Sequence, residues 1–297
     1  MGGIYPSVPT TTEIDVAKLH QFMKDPTKVQ RLVNDENANT FLSDFLFPTT
    51  IETNGAVLYE VSAGVYLDRD PEEVNPGAVY PRAKPTDGDA AFAKVPKVGI
   101  DVPVTDEKLL ESNRDEIKRA AQQVGRHVRR QIDTPAVAIV QTVVTSTLAL
   151  DGTKGWWYTI SKAVGEINNE PENYEADTVV VPWDLWADVA YDVMGFLPRE
   201  TQSGVVQTNK LPEIAGITIA PAVMPPGSDP VVLDRKVFGS RAFKRIPSPE
   251  YTGDPKTGIE TWTRRNPLGN DETLIRGRRP MIAVAQEPRA ARRITGA

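Results

Sequence analysis

The sequence predicts an α+β chain made of a thin arm, a projecting hairpin, one long helix and a mixed core. Three observations predict it. Residues 102–133 read as a helix with a narrow apolar stripe. Residues 51–104 alternate apolar and polar around a Pro-rich tip. Residues 135–255 mix helical and strand periodicities in the richest apolar runs of the chain.

Composition limits the function classes. The 297 residues fit one elaborate domain or two ordinary ones, and a hydrophobic content of 40% is enough for a core. The absence of cysteine excludes disulfides, thiolate nucleophiles and cysteine metal sites. No apolar run is long enough to span a membrane, and "MGGIYPSVPTTTEID" lacks a signal pattern, so a cytoplasmic site of synthesis is expected. Pro6 stands where a myristoylation signal requires Ser or Thr. A formal net charge of −6 argues against a general nucleic-acid binder. The charge is unevenly placed, however. Lys118, Arg119, Arg126, Arg129 and Arg130 form a basic helix face with no acid between them, and residues 276–297 carry six arginines against the single Glu287. Such patches meet phosphate or acidic neighbours. A solvated helix end and tail explain them equally well.

The elements follow in order. Residues 1–50 read as an arm, with short helical pieces at "EIDVAKLHQFMKD", "TKVQRLV" and "NTFLSDFLF", none long enough to close a core alone. "GAVLYEV" and "GVYLD" alternate as hairpin strands would. "RDPEEVNPGAVYPRAKPTDGDA", with four prolines and two glycines, reads as the projecting tip. "FAKVPKVGIDVPV" resumes the alternation and leads into the long helix. There Thr105 occupies an N-cap position, with Asp106 and Glu107 in the first turn. Ile117, Ala121, Val124, Val128 and Ile132 form the stripe, and Asp133-Thr134-Pro135 is expected to end the helix. The rod would be roughly 40 Å long.

"PAVAIVQTVVTSTLAL" reads as a buried helix or strand; its length and Pro135 at a first-turn position favour helix, although its β-branched residues oppose that. "WWYTISKAVGEI" reads as a helix with Trp156, Ile160 and Val164 on one side. "ADTVVVPWDLWADVAYDVMG" reads as a buried strand entering a helix that Gly195 closes. "AGITIAPAVMPPGSDPVVLD" reads as two strands joined by a Pro-Gly turn, and "GIETWTRRNPLGNDETLIRGRRPMIAVA" as strands with a turn at residues 266–269.

Chemistry is hard to find. The two histidines are His20, in the arm, and His127, among arginines on the long helix, where a solvated role fits better than a catalytic base. No phosphate loop, HExxH pair, GxSxG elbow or calcium loop occurs. "NDETL" and "DRDPEE" cluster carboxylates in turn-rich settings without a matching spacing. Trp156, Trp157, Trp183 and Trp186 lie on predicted core elements, where packing is their expected role. No enzyme, metal or cofactor is implied.

The order of parts resembles the major capsid protein of tailed bacteriophages, the Hong Kong 97 fold, over nearly the whole chain. "KVPKVGIDVPVTDEKLLESNRDEIKRAAQQVGRHVRRQID" resembles that family's last E-loop strand running into its spine helix. "ADTVVVPWDLWADVAYD" is similar to its A-domain strand and helix, and "LPEIAGITIAPAVMPPGSDPVVLD" to its paired A-domain strands. "IRGRRPMIAVAQEPRAARRIT" resembles its closing P-domain strand and tail. The resemblance implies an N-terminal arm at 1–50, an E-loop hairpin at 51–104 and a P-domain spine helix at 105–134. It further implies an A-domain at 135–255 and P-domain strands with a tail at 256–297. Asp70, Glu72, Glu73, Pro76, Lys84 and Asp87, at the hairpin tip, become candidate subunit-interface residues.

The implied function is self-assembly into hexamers and pentamers of an icosahedral shell around double-stranded DNA. The DNA would be held without sequence-specific binding. A portal and a separate scaffolding protein are expected partners, because only about fifty residues precede the hairpin. A decoration protein outside the shell is left open, and no membrane is involved. The location implied is the virion capsid, assembled in the host bacterial cytoplasm. Some members of the family cross-link covalently through a hairpin lysine, a P-domain asparagine and a glutamate. Lys84 and Asn270 stand at suitable places, but Gly277, Arg278 and Arg279 precede the last strand where a glutamate would be needed, so no cross-link is expected. An encapsulin-type shell enclosing a cargo enzyme is the alternative on the same fold. A monomeric enzyme or binding module is the third reading, and it lacks a convergent polar site.

Overall fold

The structure, a computed structural model, describes residues 23, 25–36, 41–62, 67–75, 79–84, 87–108, 114–199, 201–202, 205, 211–253, 257–266 and 271–296. The chain opens with helices α1 (Pro26–Glu36) and α2 (Leu42–Leu46). Strands β1 (Thr49–Glu52), β2 (Ala56–Val61), β3 (Asp89–Lys94) and β4 (Gly99–Thr105) follow, and then the long helix α3 (Arg114–Val143). Next come β5 (Thr147–Ala149), α4 (Gly155–Asn168), β6 (Thr178–Pro182), α5 (Trp186–Met194), β7 (Thr218–Ala222) and β8 (Val231–Leu233). The chain continues through α6 (Arg235–Phe238), β9 (Gly239–Phe243), β10 (Thr252–Gly253), β11 (Glu260–Arg265), β12 (Glu272–Arg278), β13 (Met281–Ala285) and β14 (Ala291–Thr295).

The chain divides into two units. The first draws on Met1–Phe41, Lys97–Gln131 and Ile246–Pro280. Its antiparallel sheet runs β10-β11-β12-β4. The stripe of α3, with Ile117, Ala121, Val124 and Val128 at most 1% exposed, is buried here. Gly277 in β12 allows the close approach, since a Cβ there would stand 2.4 Å from Val124 Cγ1. Helix α1 packs on β10 and β11 with Val29 and Val33 fully buried.

Arginines stitch this sheet together. Arg278, 3% exposed, donates from Nε to Glu260 at 2.5 Å, and its guanidinium lies 3.5 Å from the Tyr251 ring centre. Tyr251 stacks on Trp262 at 6.3 Å, and Arg276 covers Trp262 at 4.6 Å while bonding Asp101 at 2.5 and 2.6 Å. The Asp101 carboxylate, and after it the Tyr251 hydroxyl, push the Arg276 pKa above its usual value. Arg279 lies over the Phe41 ring at 4.0 Å. The reading of these arginines as a solvated tail is therefore corrected: Arg278, Arg279 and Arg292 are buried, and each has hydrogen-bond or ring partners.

The second unit draws on Leu42–Pro96, Ile132–Arg245 and Met281–Ala297. Its five-stranded sheet runs β5-β14-β8-β6-β7. Strand β6, "TVVVP", is buried along its whole length because both faces of the sheet are covered. One face packs Trp156, Ile160 and Ile167 of α4 and Trp186, Val189 and Val193 of α5. The other packs Ala136, Val137 and Val140 of α3 with Phe47 and Phe238. A second sheet, β1-β9-β13, carries the hairpin β2-β3 through Val57, Val95 and Ala242.

Several expectations about individual elements differ from what is found. Pro135 does not end the helix; α3 continues through it to Val143. The ring is exposed, and the buried run Ala136, Val137, Val140 continues the stripe, so packing outweighs a cost of about 3 kcal/mol. The alternation over 92–104 does not form one strand. It breaks at Val95-Pro96, and β4 joins β12 rather than the hairpin. β2 pairs with β3; Leu67 and Asp68 of "GVYLD" are not in a strand, and its first three residues lie outside the described ones. β7 and β8 do not pair with each other, because each flanks β6, one parallel and one antiparallel. Residues 281–297 group with the second unit: β13 joins β9, and β14 enters the five-stranded sheet, where Ala291 and Ile294 complete the core. No helix among the described residues is long and apolar enough to cross a membrane.

Candidate assembly surfaces

The hairpin has two unlike faces because side chains alternate along a strand. Val57 and Tyr59 turn inward onto Ile51, Ala242 and Ile282. Leu58 and Phe92, register partners on the opposite face, are 77% and 69% exposed. Beyond the strands, Asp68 ties the two limbs together: its N–H donates to the Lys84 carbonyl at 3.1 Å, and its Oδ1 accepts the Lys84 N–H at 2.7 Å. Arg69 grips Glu72 at 2.8 and 2.6 Å. Asp70, Glu72, Glu73, Lys84 and Asp87 are all exposed, as are the large apolar Val79 and Tyr80. Pro76 and Asn270 lie outside the described residues.

The basic residues of α3 stand opposite its buried stripe. At about 100° per residue, Lys118, Arg119, Arg126, Arg129 and Arg130 fall within an arc of about 120°. Lys118, Arg119, Arg126 and Arg130 are exposed and Arg129 is half-buried. His127, also exposed, places Nδ1 3.0 Å from the Gln123 carbonyl oxygen.

A third surface was not foreseen. Pro182 and Ala222 are register partners at the ends of the parallel strands β6 and β7, so Trp183 and Val223, next along each chain, come side by side. They are 49% and 81% exposed; Tyr191 on α5 and Phe196 just after it are also exposed, at 81% and 62%. Trp156 and Trp186 do pack in the core, but Trp183 is half exposed, with its ring edge-on to Trp186 at 6.1 Å. The available signal was Tyr191, which falls off the Trp186, Val189, Val193 stripe. Among the described residues no group of His, Asp or Glu is arranged to hold a metal ion.

Residues 88–294 match the model of a family described as phage capsid protein. The chain belongs to the phage capsid protein family. This capsid chain is also similar to solved structures. The capsid of the cyanophage P-SCSP1u matches at 11% identity and TM-score 0.61, over 85% of this chain and 86% of that one. Microbacterium phage Oxtober96 matches at 14% identity and TM-score 0.56, over 86% and 90%. A virus-like particle from Pyrococcus furiosus matches at 8% identity and TM-score 0.55, over 90% and 98%. No curated protein matches by sequence. The fold is the Hong Kong 97 type. The protein is a major capsid protein, a structural component of the virion that assembles with its own copies into a shell.

Proposed function

We propose that the chain forms hexamers and pentamers of an icosahedral shell around the double-stranded DNA of a tailed phage, with the hairpin and α3 among its contact elements. The shell assembles in the host cytoplasm around a separate scaffolding protein and a portal. It holds DNA without reading sequence and can carry a decoration protein. The observation that supports this best is the hairpin, whose Leu58–Phe92 pair is bare on the face away from its own sheet. Contiguous exposed apolar surface marks association sites, and copies of the same chain are the partner that a capsid subunit meets most often.

Electron microscopy after sizing tests the reading, on protein expressed alone and with its neighbouring genes. Closed shells or capsomer rings are expected, with DNA inside. A cargo enzyme inside would favour a compartment shell, a second reading kept open by the likeness to the Pyrococcus furiosus virus-like particle. A monomer under both conditions would overturn both. Mature particles should run as single subunits on a denaturing gel; a ladder of isopeptide-linked species would contradict the absence of a cross-link.

A further inference from the structure

The turn joining β1 to β2 holds the single Asn-Gly pair of the sequence, Asn54-Gly55. Asn54 is exposed, and its side chain makes no hydrogen bond among the described residues. Its amide carbon is therefore free to turn towards the next backbone nitrogen. That nitrogen belongs to Gly55, which has no Cβ to block the approach and sits at φ +141°, where a side chain is rarely accommodated. The Gly55 N–H is held only by a long bond to Thr53 Oγ1, at 3.4 Å, and that hydroxyl itself donates to the Ala56 carbonyl. A cation lies over the same turn. Lys244, just after β9, places Nζ 3.2 Å from where a Cβ on Gly55 would stand. Lys244 is half-buried and makes no ion pair among the described residues.

We propose that Asn54 is a site of self-modification, at which the Gly55 nitrogen closes a succinimide ring with Lys244 as the positioning cation. The Gly55 nitrogen gives its proton to solvent base and bonds to Asn54 Cγ. The side-chain nitrogen takes a proton back and leaves as ammonia. Water then opens the ring: attack at Cγ gives aspartate, and attack at the backbone carbonyl carbon gives isoaspartate. Nothing is oxidised or reduced. Ring closure joins neighbours in the chain, so proximity supplies much of the rate. The Lys244 ammonium favours the deprotonated nitrogen and the oxyanion that develops on Cγ, and afterwards it faces the new carboxylate. The site is a joint of the fold. β1 is held by β9, whereas the Gly55 carbonyl accepts the Val95 N–H at 2.9 Å at the base of the hairpin. Isoaspartate inserts an extra carbon into the backbone between these two attachments, and either product adds a negative charge to each copy.

The test is timed incubation of the full-length chain in mildly alkaline buffer, followed by peptide mapping with mass spectrometry and isoaspartate-specific methyl labelling. The peptide holding Asn54 should gain the mass of an amide-to-acid exchange ahead of every other asparagine, with isoaspartate among its products. Lys244→Gln should slow the conversion by roughly threefold, the scale of a half-exposed charge contact. Lys244→Arg, which keeps the charge, should hold the rate to within about twofold of the unaltered chain. In urea all three chains should convert at one rate, because the side chain no longer lies over the turn. Thermal melts should show that both variants fold. If Asn54 stays intact in the folded chain while the urea-unfolded chain is converted, the site is overturned. If Lys244→Gln converts as fast as the unaltered chain, or Lys244→Arg slows as much as Lys244→Gln, the role of the cation is overturned. Neither result bears on the capsid reading.

Discussion

Gly277 and Val124 meet with no room for a methyl group, because a Cβ on Gly277 would sit 2.4 Å from Val124 Cγ1. Gly277→Ala is expected to cost about 1–3 kcal/mol by overpacking. Val124→Ala in the same chain should recover part of that loss, as a double-mutant cycle in urea would show. A buried pair gives a second prediction. Glu260→Ala strands the Arg278 guanidinium in the sheet and should cost about 3–5 kcal/mol in the same assay. Asp177 gives a pH dependence. Burial raises its pKa, but the Arg235 and Thr178 hydrogen bonds prevail and hold it below the ordinary 3.8. Its contribution is therefore present above about pH 4 and lost as pH falls through the lowered value. Asp177→Asn should flatten the acid limb of a stability–pH curve. At this scale the sequence was least legible. It counted the arginines, but which are buried depends on the register of β12 against β11 and β4, and a list of residues does not contain that register.

Helices were the most legible elements, since a single 3.6-residue period reports both their existence and their buried face. The stripe of α3 and the Trp156–Ile160 side of α4 are buried as predicted. Strand partners were not legible, because alternation says that a strand exists and nothing about its neighbour: β7 and β8 each bond to β6. The end of α3 was misplaced because a local rule about proline lost to the packing of Ala136, Val137 and Val140. A prediction follows. Pro135→Ala restores an N–H facing the Gln131 carbonyl and should raise the thermal midpoint, read by circular dichroism. The hairpin gives another. Deleting residues 71–86 should leave a soluble subunit that forms no closed shells; normal particles would contradict an interlocking role.

At the scale of the whole chain, the order of parts carried the family, whereas no single motif did. The Trp183–Val223 patch escaped notice because it exists only once β6 and β7 lie side by side. The same sheet has a consequence in time. β14 lies between β5 and β8, yet the ribosome makes it after both. Roughly 140 residues separate the end of β5 from the start of β14, about ten seconds or more of translation. Throughout that interval the nascent sheet has a vacant slot, and β5 has no neighbour to hold it. A half-made subunit thus lacks a finished core to present to its fellows, and construction of the shell has to wait for completed chains.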